Sequence, residues 1–291
     1  MKTRRSLGIV AALAAFAWAA PSLAVADAQK HPQRIVSMNL CNDELLMRLV
    51  DPSRIASITN LSQEKVNEPV GLSGIAMKLK VNRGLAEEVL MARPDLIVAG
   101  SYTTTTAVAL LRKLGYQVVT FEPENNLDDM RANVRKMGKL VGEEAKAEQI
   151  IADFDAKLKA LQAQLPPGEK PVFADIAVNN YIAGKDTFYA EVVNAGGWRT
   201  IGQALGYSGF RSVTLEELMK IRPDLIATAT PWANPPSMST RNLHHPALQR
   251  IVDATPNVVI PERFTVCGTP AVMGAIELLV AERRKLAERA K

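Results

Sequence analysis

Short apolar runs rich in β-branched residues alternate along this chain with longer segments whose apolar positions recur every three or four residues. The runs at 34–38, 55–58, 95–99 and 117–121 read as buried strands, with helical segments between them, the first over 43–50. The same order restarts near Pro171, with strands expected at 172–177, 224–228 and 258–260 and helices at 187–194 and 269–290. Strands that alternate with helices predict mostly parallel sheets covered on both faces. Between the two series, residues 142–165 hold no proline or glycine after Gly142. They place Ala147, Ile150, Ile151, Phe154, Leu158, Leu161 and Leu165 on one helical face. At about 1.5 Å per residue such a helix is roughly 35 Å long, enough to run beside two domains. Pro166-Pro167-Gly168 ends it.

An internal repeat supports two similarly built halves. Glu87-Glu-Val-Leu-Met-Ala-Arg-Pro-Asp-Leu-Ile-Val98 aligns without gaps on Glu216-Glu-Leu-Met-Lys-Ile-Arg-Pro-Asp-Leu-Ile-Ala227, with seven of twelve positions identical. Each copy reads as a short helix that stops at Arg-Pro, since proline disfavours helix in the residue before it, followed by a buried strand. The expected fold is therefore α/β: two similar lobes with mostly parallel sheets, joined by one long backbone helix, with a ligand cleft between them. The expected division is 27–141 for the first lobe, 142–165 for the linking helix and 166–291 for the second lobe.

The first 26 residues differ from the rest. Lys2, Arg4 and Arg5 precede an almost wholly apolar stretch over 7–20, and small residues flank Val25. This is the pattern of a secretory signal peptide cleaved after Ala26, by the general or the twin-arginine route. The apolar stretch is too short to span a bilayer comfortably. No cysteine follows it closely, so a lipid anchor is not expected, and the chain is read as exported to the periplasm. Removing it lowers the formal charge from +5 to +2. The basic balance is thus partly a property of the leader and gives no reason to expect nucleic acid. The remaining composition, 47% hydrophobic and 22% charged, is that of a globular protein.

At this point the chain resembles a known family: the periplasmic substrate-binding proteins of ABC importers that have a rigid helical backbone, among them cobalamin- and ferric-siderophore-binding proteins. The resemblance runs from about Arg34 to the last helix. It rests on Arg34-Ile-Val-Ser37 with Asn39 after it, the two Glu…Arg-Pro-Asp-Leu-Ile units and the single linking helix. Ala183-Gly184-Lys185, Asn194-Ala-Gly-Gly197 and Gly268-Thr269-Pro270 complete it. It implies capture of a large iron chelate or a cobalamin-type ligand and delivery to a membrane permease with its ATPase, by a monomer with no cofactor of its own. A haem-binding protein of the same fold is the alternative. It also implies that Glu87 and Glu216, at equivalent repeat positions, face the transporter. The competing reading places both in first helical turns, where the helix dipole favours carboxylates; Thr214 and Glu217 also spell a capping box.

Ligands of open α/β sheets sit outside the carboxyl ends of the strands. That rule selects Asn39, Leu40, Asn60, Tyr102, Tyr181, Trp232 and Arg263 as ligand-binding candidates. Tyr102 and Trp232 follow the two repeated strands, so they would approach a ring-rich ligand from opposite lobes. The Arg263 guanidinium offers a fork for an anionic group. By the resemblance, cobalamin-binding members carry an acidic residue near this position, so Arg263 points toward a ferric siderophore or haem. Cys41 and Cys267, the only cysteines, flank the expected cleft, one per lobe. In an oxidising compartment they form either an interlobe disulfide or two buried thiols. Three histidines are too few, and too clustered, for a zinc or manganese site. An exported α/β hydrolase is the rival class, but Gly-x-Ser-x-Gly and the Gly-rich nucleotide motifs are absent from the sequence.

Overall fold

The computed structural model describes residues 31–103, 105–227 and 241–289. These described residues form one compact unit. The expected leader peptide and Trp232 lie outside the described residues.

The first lobe is built on β1 (Ile35–Ser37), β2 (Ile55–Thr59), β3 (Val81–Asn82), β4 (Leu96–Gly100) and β5 (Val118–Phe121). They form a parallel sheet in the order β3-β2-β1-β4-β5. Helices α1 (Leu40–Leu49), α2 (Ser73–Ala76), α3 (Ala86–Met91) and α4 (Thr105–Lys113) complete the crossovers. Alternate strand residues serve opposite cores. Ile35, Leu96 and Val98 pack on one face; Val36, Ile97 and Ala99 pack on the other. That is the two-residue period of a sheet buried on both sides.

The two spine helices follow, α5 (Leu127–Val141) and α6 (Glu144–Gln162). Gly142, at φ 74°, ends α5 in the left-handed conformation that glycine adopts at no steric cost. At about 1.5 Å per residue α6 is roughly 28 Å long. Each spine helix serves two cores. Val134, Met137, Val141, Ala147 and Ile151 belong to the first lobe's core, whereas Leu127, Met130, Phe154 and Leu158 belong to the second lobe's. Gly138 lets the helices approach closely, because a Cβ there would stand 2.5 Å from that of Ala147.

The second lobe repeats the plan with β6 (Val172–Ala174), β7 (Tyr181–Ala183), α7 (Phe188–Ala195), β8 (Arg199–Thr200), α8 (Ile201–Ala204), β9 (Phe210–Ser212) and α9 (Leu215–Met219). It continues through β10 (Leu225–Ala227), α10 (Pro246–Ala254), β11 (Asn257–Val258) and the closing α11 (Met273–Arg289). A four-stranded parallel sheet has the order β11-β10-β6-β8, while β7 and β9 form a separate antiparallel pair. The strands expected at 172–177 and 258–260 are thus shorter, because pairing partners run out beyond Ala174 and Val258. Trp198, buried beneath α11, donates its indole N–H to the Leu279 carbonyl at 2.8 Å.

The repeated Arg-Pro-Asp units explain themselves in this frame. Asp95 accepts backbone N–H bonds from Gln33 at 2.7 Å and Arg34 at 2.9 Å, at the entrance to β1. Asp224 accepts from Val172 at 2.8 Å, at the entrance to β6. In each lobe the same aspartate fixes the start of an interior strand to the start of its neighbour, satisfying amides that precede the ladder.

Candidate functional site

The carboxyl end of the first sheet borders a cleft of about 550 Å³, whose other wall comes from the second lobe. In the first sheet the strand order reverses between β1 and β4, the place where open α/β sheets bind ligands. The loops after those strands supply Asn39, Ser101 and Tyr102 to the cleft wall, and the loop after β5 supplies Phe121, Glu122 and Glu124. From the second lobe come Asp186, Phe188, Tyr189 and Phe210, together with Thr265 and Val266. A side chamber of about 280 Å³ shares Tyr189, Phe210, Thr265 and Val266 with the cleft and adds Asp175, Tyr181 and Glu262.

Local structure holds these groups. Asn39 is the N-cap of α1 and accepts from the backbone N–H groups of Cys41 at 3.0 Å and Asn42 at 3.2 Å. Its side chain thus occupies the cap and lines the cleft at once. Thr187 caps α7 by accepting from the Ala190 N–H, which starts the helix at Phe188 and aims that ring and Tyr189 at the cleft. Glu124 accepts from Asn133 Nδ2 at 2.5 Å; burial raises its carboxyl above the usual range against that bond. Burial likewise raises Asp175, which accepts from Tyr189, and pushes the Tyr189 phenol well up, with the Asp175 charge adding to the effect.

The floor of the cleft ties the lobes together. Cys41, at the start of α1, is joined by a disulfide to Cys267, across a Cα–Cα distance of 5.2 Å. Two residues on, Thr269 donates to Glu44 Oε2 at 2.9 Å, and Arg48 grips the other Glu44 oxygen at 2.6 Å. Gly268 has no room for a side chain, because a Cβ there would collide with the Glu124 carboxylate. Beneath this floor lies Asp43, fully buried, with Oδ2 accepting from the Thr59 N–H and from the Thr59 and Ser62 hydroxyls. Its Oδ1 has no partner at hydrogen-bonding geometry, and burial outweighs those donors and the nearby Ser37 hydroxyl, raising the carboxyl to about 7.

The candidate residues separate in space. Asn39 and Tyr102 line the cleft, Tyr102 with 89% of its surface exposed. Tyr181 lines the side chamber. Leu40 opens α1 and Asn60 opens a short turn over Asn60–Gln63, both outside the cleft lining. Arg263 also lies outside it, with its guanidinium carbon 5.5 Å from the centre of the Phe264 ring. Glu87 and Glu216 stand exposed in the first turns of α3 and α9; Glu216 pairs with Lys220 at 2.9 Å, while the neighbouring Glu217 completes the capping box with Thr214. The acidic loop after β5 and the Asp186–Tyr189 turn escaped sequence reasoning. The first follows a predicted strand, so the carboxyl-end rule could have found it. Among the described residues no group of three or more histidine, cysteine, aspartate or glutamate side chains is placed to hold a metal ion.

Residues 35–257 match the sequence profile of the family described as periplasmic binding protein. The chain belongs to that family. Periplasmic binding proteins bind substrates for transport and are not enzymes. This periplasmic binding protein is 27% identical over 210 residues to YvrC of Bacillus subtilis, an uncharacterised ABC transporter substrate-binding lipoprotein; the match covers 69% of this chain and 64% of the relative. A cobalamin-binding protein of Halobacterium salinarum is 22% identical over 202 residues, covering 68% of this chain and 54% of that one. The matches thus span between half and two-thirds of the relatives' own lengths. The periplasmic haem-binding protein RhuT of Roseiflexus sp. RS-1 superposes with a TM-score of 0.70 at 16% identity, over 88% of this chain and 99% of that one. That likeness is one of fold: two lobes of parallel α/β structure around a cleft.

Proposed function

We propose that this protein is the solute-binding component of an ABC importer, working in the periplasm without a lipid anchor. It captures a large ring-bearing solute, a cobalamin-type ligand or a ferric siderophore, and delivers it to a membrane permease coupled to an ATPase. The observation that carries the reading is the aromatic-walled cleft, set at the strand-order reversal of the first sheet and held between lobes that share two helices. Such a site is largely preformed, so little of the interaction energy is lost to ordering the protein. The names of the Bacillus and Halobacterium relatives support the importer and cobalamin parts of this reading, while the Bacillus protein is itself a lipoprotein.

Glu87 and Glu216 are the docking residues in this reading: equivalent in the repeat, exposed, and one on each lobe. Haem is the second ligand reading, favoured by the exposed phenol of Tyr102 in the cleft.

The test is a titration of the mature protein with cobalamin, haem and ferric siderophores, followed by tryptophan fluorescence with inner-filter correction and by thermal shift. Saturable binding in the micromolar to nanomolar range, about −8 to −12 kcal/mol, is expected for one ligand. Failure to bind any of them refutes the ligand class. With Glu87→Ala and Glu216→Ala combined, uptake is lost while binding is retained; weakened binding refutes the docking assignment.

A further inference from the structure

The charge of the cleft carries information that its shape does not. Its lining includes three carboxylates, Glu122, Glu124 and Asp186, and no lysine, arginine or histidine. The side chamber adds Asp175 and Glu262, again without a cation. Residues 228–240 contain no charged side chain of either sign. Three neighbouring cations are engaged by aromatic rings. Lys136 sits 4.3 Å from the centre of the Phe121 ring and donates to the Thr120 carbonyl at 2.7 Å. Arg211 lies over the Tyr207 ring at 4.3 Å, and Arg263 over Phe264.

A second observation concerns neutral groups. Asn42 lines the cleft with only 2% of its surface exposed, and its Nδ2 has no hydrogen-bond partner; the buried Ser101 hydroxyl in the same wall has none either. A buried donor without a partner carries an uncompensated desolvation cost. The wall therefore sets uncompensated negative charge in front of neutral polar groups that are closed off from solvent.

We infer that the cleft selects its solute by charge, admitting a ring-bearing ligand whose periphery is neutral or cationic, with carboxamide, hydroxamate or amine groups, and rejecting carboxylate-rich or multiply anionic ones. The inference rests on the reading of the cleft as the ligand site. The physical basis is twofold: like charges brought together in a partly desolvated cleft repel strongly, and no guanidinium or ammonium is present there to receive an anion. Hydrogen-bond donors or cations on the ligand satisfy the carboxylates.

The experiment uses ligand pairs that differ in charge. Cyanocobalamin is set against its monocarboxylate, made by hydrolysing one propionamide; haemin against its bis-amide; and a cationic iron(III) trihydroxamate against a trianionic iron(III) tricatecholate. Each is titrated into the mature protein at low and high ionic strength. In any pair that binds, the less anionic member is expected to bind at least about tenfold more tightly at low salt, with the gap narrowing as salt screens the wall. Combining Glu122→Gln, Glu124→Gln and Asp186→Asn is expected to bring the members of a pair within about threefold. The wild-type salt dependence decides the matter if that variant does not fold. Equal or tighter binding of the more anionic member overturns charge selection and leaves the cleft as a binding site. Absence of binding by every probe overturns the ligand reading itself, and charge selection with it.

Discussion

Asp43 makes the fold sensitive to pH in a direction that can be calculated. Its carboxyl is raised from 3.8 to about 7, chiefly by burial. Between those two values the folded state holds a proton that the unfolded chain has released. Stability from this group is therefore complete below the unfolded value and is lost as pH rises through the folded one. At about 1.36 kcal/mol per pH unit, tapering as pH nears the folded value, moving from pH 5 to pH 7 removes about 2 kcal/mol. Asp43→Asn keeps an oxygen for the three donors from Thr59 and Ser62 but cannot titrate. It places an amide where Oδ1 already lacks a partner, at a cost of about 1–3 kcal/mol that does not vary with pH. Urea denaturation at pH 5, 6, 7 and 8, followed by tryptophan fluorescence, measures both curves. The difference between wild type and variant should change by about 3 kcal/mol over this range, with the variant gaining relative stability as pH rises. Parallel curves would show that Asp43 is ionised throughout and that its hydrogen bonds, not its burial, govern the carboxyl.

Two further predictions concern the joints between lobes. Replacing both Cys41 and Cys267 with serine should cost about 2–4 kcal/mol, since the bridge closes most of the chain into one loop; equal denaturation midpoints for oxidised wild type and variant would refute this. Gly138→Val should lower stability by about 1–3 kcal/mol, because its side chain meets Ala147 where the spine helices touch, and a thermal midpoint unchanged or raised would count against that contact.

Much of the scaffold was legible because long-range packing agreed with local pattern. The apolar runs around Ile35, Leu96 and Leu225 are central strands, and the three-to-four spacing from Ala147 to Leu158 is the face of α6. Strands β3 and β8 span two residues each, and β7 and β9 exist through their pairing with each other; such elements have no sequence period of their own. The importance of α5 was likewise hidden, because its amphipathic pattern does not say that Met130 and Val134 serve different cores. At the site, the carboxyl-end rule located Asn39 and Tyr102. It could not say that Arg263, in a loop reaching the cleft, folds onto Phe264, nor that Glu124 meets Gly268 across the lobes. Those facts depend on rotamers and on contacts between residues far apart in the chain.

The shared spine also sets an order of assembly. Every buried residue of the first lobe's two clusters lies at or before Ile151, so that lobe can fold once the chain has been made through α6. It then stands with Leu127, Met130, Phe154 and Leu158 still uncovered, an apolar strip waiting for partners that arrive only with Phe173, Trp198 and finally α11. The earlier half thus serves as a template on which the later half condenses, while Cys41 remains a free thiol until residue 267 emerges. A chain cut short before α11 would present that strip and that thiol to solvent, making it a ready target for chaperones and for wrong disulfides.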